Sequence, residues 1–594
     1  MCGIIGGYSK QNFLNNFFKL KGLISHRGPD QKIEYFDNFF KINFYRLSIV
    51  NLKNTKTQPL INKNVSIFFN GEIYNYKEIL TELNLKKDDN TFDGTVLPFL
   101  YERYGINFLD KINGMFAMVI YDKYKQKIYL CRDRFGEKPI YYSYSNDYLL
   151  FSSELTPLRK FLSKSLNHKN LIKYFSYGFI PSPNTLFQNI YKIPPGSYGE
   201  FDIKDFKFKT KLYYQISFGD KIFRRDDQIE LRNKIKESYL LKSQREVRQT
   251  ILLSSGLDSN IIKFTDKSIG GNTFNTSLGF EKNSYDETSL LKKVFKNEKI
   301  HFIKPKMKNY FNSFEEVYKK IDDLIYDQSL IPTYELFKNI KKNNFKLTFS
   351  GEGMDELLYG YNTAKANRYY EYLKPLQNNT LTKIIFKISN NFDYSDKYMS
   401  NFMKFNLFFK GLSENKEILQ PSWLSPYRLE DINNLYGSNF NRYEIFDELY
   451  KDEKRLNFKN NYERYSYFYI RYYLTENLLV KSDRCSMLNS IENRCVYLDK
   501  NLFNFILSFD RKLNYKKFID KNILRNIYSK DLDKRILSMN KHGFAFPVPN
   551  FLKNIAIKNK IKKNKLLLDF KKLVPNTNFR QTWGFLILDE HLRF

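Results

Sequence analysis

The sequence predicts two domains: an N-terminal α+β domain over residues 1–215, and a C-terminal α/β domain with a helical extension over residues 226–594. Three observations lead there. At 594 residues the chain is too long for one hydrophobic core. Roughly the first 200 residues alternate short aromatic and β-branched runs with Gly- and Asn-containing turns, which is a strand signature. From residue 226 onward apolar runs alternate with helical patterns, as in a parallel sheet with crossover helices.

The elements follow in order. KINFYRLSIVNL (41–52), VSIFFNGEIYN (65–75), GMFAMVIYDKYKQKIYLCRD (114–133) and KPIYYSYSNDYLLFSSE (138–154) read as strands. DGTVLPFLYERYG (93–105) holds a helix, and IYKIPPGSYGEF (190–201) a final turn and strand. YYQISFGDKIFRRDD (213–227) reads as a polar linker. QIELRNKIKESYLLKSQ (228–244) is an amphipathic helix. TILLSSGLDSNIIKF (250–264) is a strand, a small-residue loop and a helix start, and strand-then-helix units recur at NTFNTSLGF (272–280) and FKLTFSGEGMDELLYGY (345–361). The remainder from 362 reads as mostly helical.

Composition narrows the function. Hydrophobic residues make up 42% of the chain, enough for large cores. The net charge of +33 invites a nucleic-acid partner, but the lysines are scattered rather than clustered into a groove, so no nucleic acid is expected. No C-x-x-C or Cys/His cluster has zinc spacing among the four cysteines and five histidines. No apolar run approaches the ~18 residues of a membrane span, and the first residues lack a signal-peptide pattern. No membrane contact and a cytoplasmic location are expected, and a homodimer is left open.

The opening MCGIIGGYSK poses the chemical question. If Met1 is removed, Cys2 carries a thiol and a free α-amine, a nucleophile beside its own base; a buried structural thiol is the alternative. HRGPD (26–30) places Arg27, Gly28 and Pro29 in a turn, and RLSIV (46–50) places Arg46 at the start of a strand. NGEIYN (70–75) ends the apolar strand SIFF. The Asn70 side chain and Gly71 N–H suit an oxyanion, Arg46 suits a substrate carboxylate, and Glu72 with Asp93 suits an ammonium. Each has a plain alternative: a surface ion pair for Arg46, a hairpin turn for NG.

MCGI, HRGPD, RLSIV, QPL, NGEIYN, GMFAMVIYD and RDRFGEKPIYY, in this order, resemble the class II glutamine amidotransferases. The resemblance implies sandwiched antiparallel sheets of the N-terminal-nucleophile glutaminase type, with Cys2 as nucleophile. It implies a glutamine pocket of Arg46, Leu47, Ser48, Ile49, Val50, Asn70, Gly71, Glu72 and Asp93. Thr95 stands where that family usually has an acidic residue.

In the second half, LLSSGLDSN (252–260) puts small residues and Asp258 between a strand and a helix, which suits a phosphate chain and its cation. No Walker A pattern is present. FSGEGMDELLYGY (349–361) adds Glu352, Asp355 and Glu356 after a strand; either metal and proton chemistry or a helix N-terminus favours acids there. LLVKSDRCSMLNSIENRCVYLD (478–499) offers Lys481 and Arg484 to neutralise developing phosphate charge, with a surface helix as the alternative. MNKHGFAFPVP (539–549) is a fourth block.

The loop resembles the SGGxDSS loop of ATP pyrophosphatases, with Ser255 and Asn260 as departures. All blocks together, with SYDETS (284–289) and DQSLIPTY (327–334), resemble the glutamine-hydrolysing asparagine synthetases over nearly the whole chain. That implies a parallel sheet of the ATP-pyrophosphatase type, with ATP and Mg²⁺ as cofactors and glutamine, aspartate and ATP as small-molecule substrates. It implies Leu253, Ser254, Ser255, Gly256, Asp258, Ser259, Leu278, Ser350 and Gly351 around ATP. Asp258 and Asp355 are implied at the metal, and Glu352 and Lys481 at the adenylation and ammonia-attack steps. The usual R-x-P-F-L-D reads Arg494-Cys-Val-Tyr-Leu-Asp499, and Phe551 replaces a tryptophan. Relatives with this architecture also amidate other carboxylates, including sugar acids of surface polysaccharides. Ammonia must stay unprotonated between the sites, so a dry internal passage at the domain interface is expected.

Overall fold

The computed structural model describes residues 2–593 except 12–13, 53–57, 89–90, 163–164, 244–245, 281–285, 390–399, 513–520 and 540–545. Two six-stranded antiparallel sheets build the N-terminal half. In one, Gly3–Ser9 lies between Tyr148–Ser152 and Phe40–Arg46. In the other, Val65–Ile73 and Gly114–Asp122 pair side by side. Their facing side chains, among them Ile4, Phe44, Phe68, Val119 and Phe151, form one core, the sandwich expected of two half-buried sheets. Helices Tyr76–Glu82 and Leu97–Tyr104 cover the outer face of the second sheet. Helices Leu155–Leu162 and His168–Tyr177 join the large core that continues into the C-terminal half.

The C-terminal half is built on a five-stranded sheet whose pairs are all parallel, in the spatial order Ile300–Ile303, Phe274–Leu278, Gln249–Leu252, Leu347–Ser350, Glu492–Cys495. Helix Arg225–Lys242 and helix Leu257–Ser268 pack on it through Leu231, Ile235, Ile261 and Ile262. Apart from Glu492–Cys495, the described residues beyond 362 that form regular structure are helical.

Several local expectations change. Arg46 closes its strand rather than starting it, because Phe40–Arg46 pairs with Gln31–Asp37 and the chain turns after it. NG is no hairpin turn: Asn70 and Gly71 pair with Ala117 and Phe116 inside a nine-residue strand. Gly71 is needed there because a Cβ would sit 1.9 Å from the Met115 carbonyl oxygen. The strand Ser197–Asp202 is not the last, since Lys207–Leu212 pairs with it as the sheet edge. The polar linker is pinned: the Gly219 N–H donates to the Leu507 carbonyl and Lys221 bridges Phe509. SIENRC, read as part of a helical remainder, supplies the fifth strand.

Candidate active sites

Cys2 leads into the strand Gly3–Ser9, and its backbone N–H donates to Asn70 Oδ1 at 2.7 Å. The Asn70 side chain is fully buried, and its Nδ2 has no hydrogen-bond partner among the described residues. One nitrogen with two N–H groups thus faces the Cys2 end of the strand unspent, the arrangement an oxyanion requires. Burial pushes the Cys2 thiol up, while the Leu47 backbone N–H and the Arg46 guanidinium draw it back. Arg27, buried under HRGPD, fixes the nucleophile by donating its Nε to the Cys2 carbonyl at 3.2 Å.

The remaining sequence-predicted residues divide. Leu47 and Ile49 pack with Tyr74, Met115 and Met487. The Ser48 N–H donates to Asp30 Oδ2 at 2.7 Å. Arg46 spends Nη2 on the carbonyls of Val50 and Asn51, so it holds the loop and is not simply a free carboxylate receptor. Asp93 accepts from the Ile73 N–H at 2.8 Å, and burial pushes it up to about 7. Burial, then the Asp93 charge, raises Glu72 as well, while Arg494 opposes this at 3.0 Å. Two like-charged buried carboxylates so placed favour an incoming cation.

A cavity of about 490 Å³ in the C-terminal half is lined by Leu253, Ser254, Gly256, Asp258, Ser259 and Leu278, and by Ser350, Gly351, Glu352, Asp355 and Lys481. Strand Gln249–Leu252 delivers the loop, which is held by its own side chains. The Ser254 N–H donates to Ser259 Oγ at 3.0 Å, and Asn260 Nδ2 donates to the carbonyls of Ser254 and Gly256. The departure at Asn260 therefore keeps the loop. Ser255 does not line the cavity; it is buried and its N–H donates to Glu287 Oε2 at 3.1 Å.

Lys481 donates to Asp327 Oδ2 at 2.8 Å and to Ser329 Oγ at 2.7 Å, tying KSDR to DQS. Although burial opposes it, Lys481 holds Asp327 below the usual carboxylate range. Asp258 and Asp355 share the Lys521 ammonium, which sequence reasoning passed over because nothing in its neighbourhood marks a site. Arg484 does not reach the cavity: it is fully buried and pairs with Asp322, Asp483 and the Tyr141 hydroxyl. Phe551 packs against Phe311, Phe314 and Trp583, away from the cavity lining. Within MNKHGFAFPVP, residues 540–545 lie outside the described residues.

Ion pairs seam the two halves together. Arg27 forks onto Asp483 through Nη1 and Nη2, both at 2.9 Å, and Arg494 reaches Glu72. Asn113 donates to Asp499 at 2.5 Å, and Ser490 Oγ donates to the His26 carbonyl at 2.7 Å.

Comparison with known proteins finds a family model in each half. A glutamine amidotransferase domain model matches residues 1–214, and an asparagine synthase model matches residues 230–565. Asparagine synthetase [glutamine-hydrolyzing] 1 of Bacillus subtilis is 28% identical over 93% of this chain and 88% of its own. A putative asparagine synthetase [glutamine-hydrolyzing] 2 of Methanocaldococcus jannaschii is 31% identical over 63% of this chain and 78% of its own. Amidase chry2 of Gibberella zeae is 23% identical over 92% of this chain and 89% of its own. The asparagine synthase match spans more than half of the chain, so the chain belongs to the asparagine synthase family, as an ATP-using carbon–nitrogen ligase that performs glutamine-dependent amidation.

Proposed function

We propose that this chain is an asparagine synthetase, with a glutaminase unit over residues 1–215 that works at Cys2 and a synthetase unit over 226–594 that amidates aspartate. The observation that carries the reading is the Cys2–Asn70 pair: Asn70 Oδ1 accepts from the Cys2 nitrogen while the buried Asn70 Nδ2 stays unspent.

With Met1 removed, that nitrogen is the α-amine, titrating near 8, and it takes the thiol proton. The thiolate attacks the glutamine amide carbon. Asn70 Nδ2, with the Gly71 N–H, stabilises the oxyanion. The amine returns its proton to the leaving nitrogen, ammonia departs, and water hydrolyses the thioester to glutamate. Glu72 and Asp93 hold the substrate ammonium.

In the second unit the loop 253–259 receives the phosphates of ATP at the N-terminus of a twelve-residue helix. The aspartate β-carboxylate attacks the α-phosphorus and pyrophosphate leaves. Lys481 neutralises charge at that step, and Glu352 takes the proton lost when ammonia displaces AMP. Asp258 and Asp355 fit Mg²⁺: they are hard oxygen donors beside the phosphate loop, and a lysine ammonium already shares them. When bound there, the ion would screen the leaving pyrophosphate.

The reading has a pH consequence. Binding of the glutamine ammonium needs Asp93 ionised, and the empty site binds a proton below about pH 7. Glutamine KM is therefore expected to rise as pH falls through that value, by up to about tenfold per pH unit. Initial-rate glutaminase assays across that range check this, and Asp93→Asn should flatten the profile.

The reading itself is tested with glutamine, ATP, Mg²⁺ and aspartate, identifying products by mass spectrometry. Asparagine, glutamate and AMP are expected. Glutamate without asparagine would move the acceptor to another carboxylate, such as a sugar acid. The breadth of the cavity, which continues past Lys481 to Tyr326, Leu424 and Arg580, favours that second reading.

A further inference from the structure

Between the two centres lies a buried polar cluster that neither half-reaction uses. On the N-terminal side are Tyr74 and Glu137, 4% and 3% exposed. The Tyr74 hydroxyl and both Glu137 carboxylate oxygens have no partner at hydrogen-bond distance among the described residues, the Cys495 thiol acting on Glu137 only as a weak donor. On the C-terminal side are Lys242 and Arg494. The Lys242 ammonium lies 5.0 Å from the centre of the Tyr74 ring and the Arg494 guanidinium 5.8 Å from it. Both cations are otherwise committed: Lys242 donates to the carbonyls of Cys495 and Leu498, and Arg494 donates to the Lys242 carbonyl and to Glu492 and forms an ion pair with Glu72. A donor and two acceptors left bare in a dry interior cost free energy unless a small polar guest joins them.

The position of the cluster says which guest. Asn70 and Glu72 alternate along the strand Val65–Ile73, and Tyr74 follows with the same period, so the row leads away from Cys2. Among charged groups, Glu137 acts on the Tyr74 hydroxyl most strongly. On the far side the buried Cys495 thiol lies within the fields of Glu352 and Glu137, and it approaches Glu352 Oε2 at 4.0 Å. Adjacent residues of the four-residue strand Glu492–Cys495 thus reach the two centres, Arg494 meeting Glu72 and Cys495 approaching Glu352.

We propose that Tyr74 and Glu137 form a station for ammonia in transit, in which the Glu137 carboxylate and the Tyr74 hydroxyl bind one NH₃ or NH₄⁺ between the glutaminase and synthetase centres. This deepens the function proposed above and rests on it. The nitrogen enters as NH₃ and leaves as NH₃. A proton lent by the Glu137 carboxyl to form ammonium returns to the carboxylate when ammonia moves on, so no net proton is consumed. Burial, reinforced by Asp133, pushes Glu137 up to about 7 against the pull of Lys242, Lys138 and the Cys495 thiol, which lets it give and take that proton near neutrality. A fully apolar passage would offer ammonia no place to wait for the adenylate.

The test uses the full-length enzyme with Glu137→Gln and Glu137→Leu. The readout is amide formed per glutamate released, with glutamine as nitrogen donor. This ratio is expected to fall about tenfold in both variants, with ¹⁵N from labelled glutamine amide appearing in the medium. Glutamate release and ammonium-driven amidation, measured separately, are expected to change by less than threefold, which a misfolded variant could not satisfy. A ratio within twofold of the unsubstituted enzyme overturns the station. A second measurement does not depend on the acceptor: crystals soaked in thallium(I), an ammonium-sized cation with an anomalous signal, should show a peak between Tyr74 Oη and the Glu137 carboxylate that Glu137→Leu abolishes. If the unsubstituted enzyme makes no amide from any acceptor offered, the acceptor reading fails. The thallium peak alone then decides the station, its absence overturning it.

Discussion

Replacing Cys2 by alanine removes glutamine-driven product formation by about 10⁴-fold or more, while ammonium-driven formation stays within about threefold. The first effect is large because the sulfur is the only enzyme atom that bonds to substrate carbon in the proposed hydrolysis. The second is small because the substitution touches nothing in the cavity of the C-terminal half. Cys2 contributes one sulfur to the sandwich core, and the contacts that fix its backbone run through its nitrogen to Asn70 and its carbonyl to Arg27. Both survive in alanine. Parallel assays with glutamine and with ammonium chloride measure the two effects. Equal losses with both donors would mean that Cys2 is structural.

Lys481→Ala has the opposite signature. Amidation with either nitrogen donor is expected to fall by about 10²–10³-fold, the cost of losing one preorganised charge at a developing phosphate, while glutamate release persists. The variant also leaves the partly buried Asp327 without its principal cation. Breaking a fully buried pair costs about 3–5 kcal/mol and this one costs less, so thermal unfolding should be followed alongside. Persistent glutaminase turnover at the assay temperature separates lost chemistry from lost fold. Undiminished amidation would remove Lys481 from the mechanism.

Much of this was legible in the sequence where a function is carried by short contiguous patterns. The connection 253–256 falls between a strand and a helix because both elements are periodic and adjacent. Asn70 and Asp258 could be named as candidates from local context alone. What escaped depends on partners far along the chain. Gly3–Ser9 is glycine-rich and has no strand pattern of its own in the sequence, yet it is a central strand. A Cβ at Gly6 would come 2.5 Å from the Phe151 ring, so the glycine serves close packing, not flexibility. Glu492–Cys495 carries two charges in four residues, a poor strand by pattern, and it is buried with those charges met by each other, by the Lys242 carbonyl and by Glu72 from the other half of the chain. Arg484 had the composition of a phosphate ligand, but Asp322 and Asp483 claim it. Lys521 sits in the left-handed region with φ 52°, and no spacing rule points from it to Asp258.

The seam between the halves has a consequence for inheritance and engineering. Arg27 with Asp483 and Glu72 with Arg494 are each one residue of a catalytic motif completed by a residue of the other motif set. A glutaminase unit taken from a distant relative would arrive with its own half of each pair, and every mismatch would strand a charge away from water. The two units are therefore not interchangeable modules, however independent their reactions. HRGPD with KSDR, and NGEIYN with IENR, are matched sets in this chain, and a productive graft has to move both members of each set together.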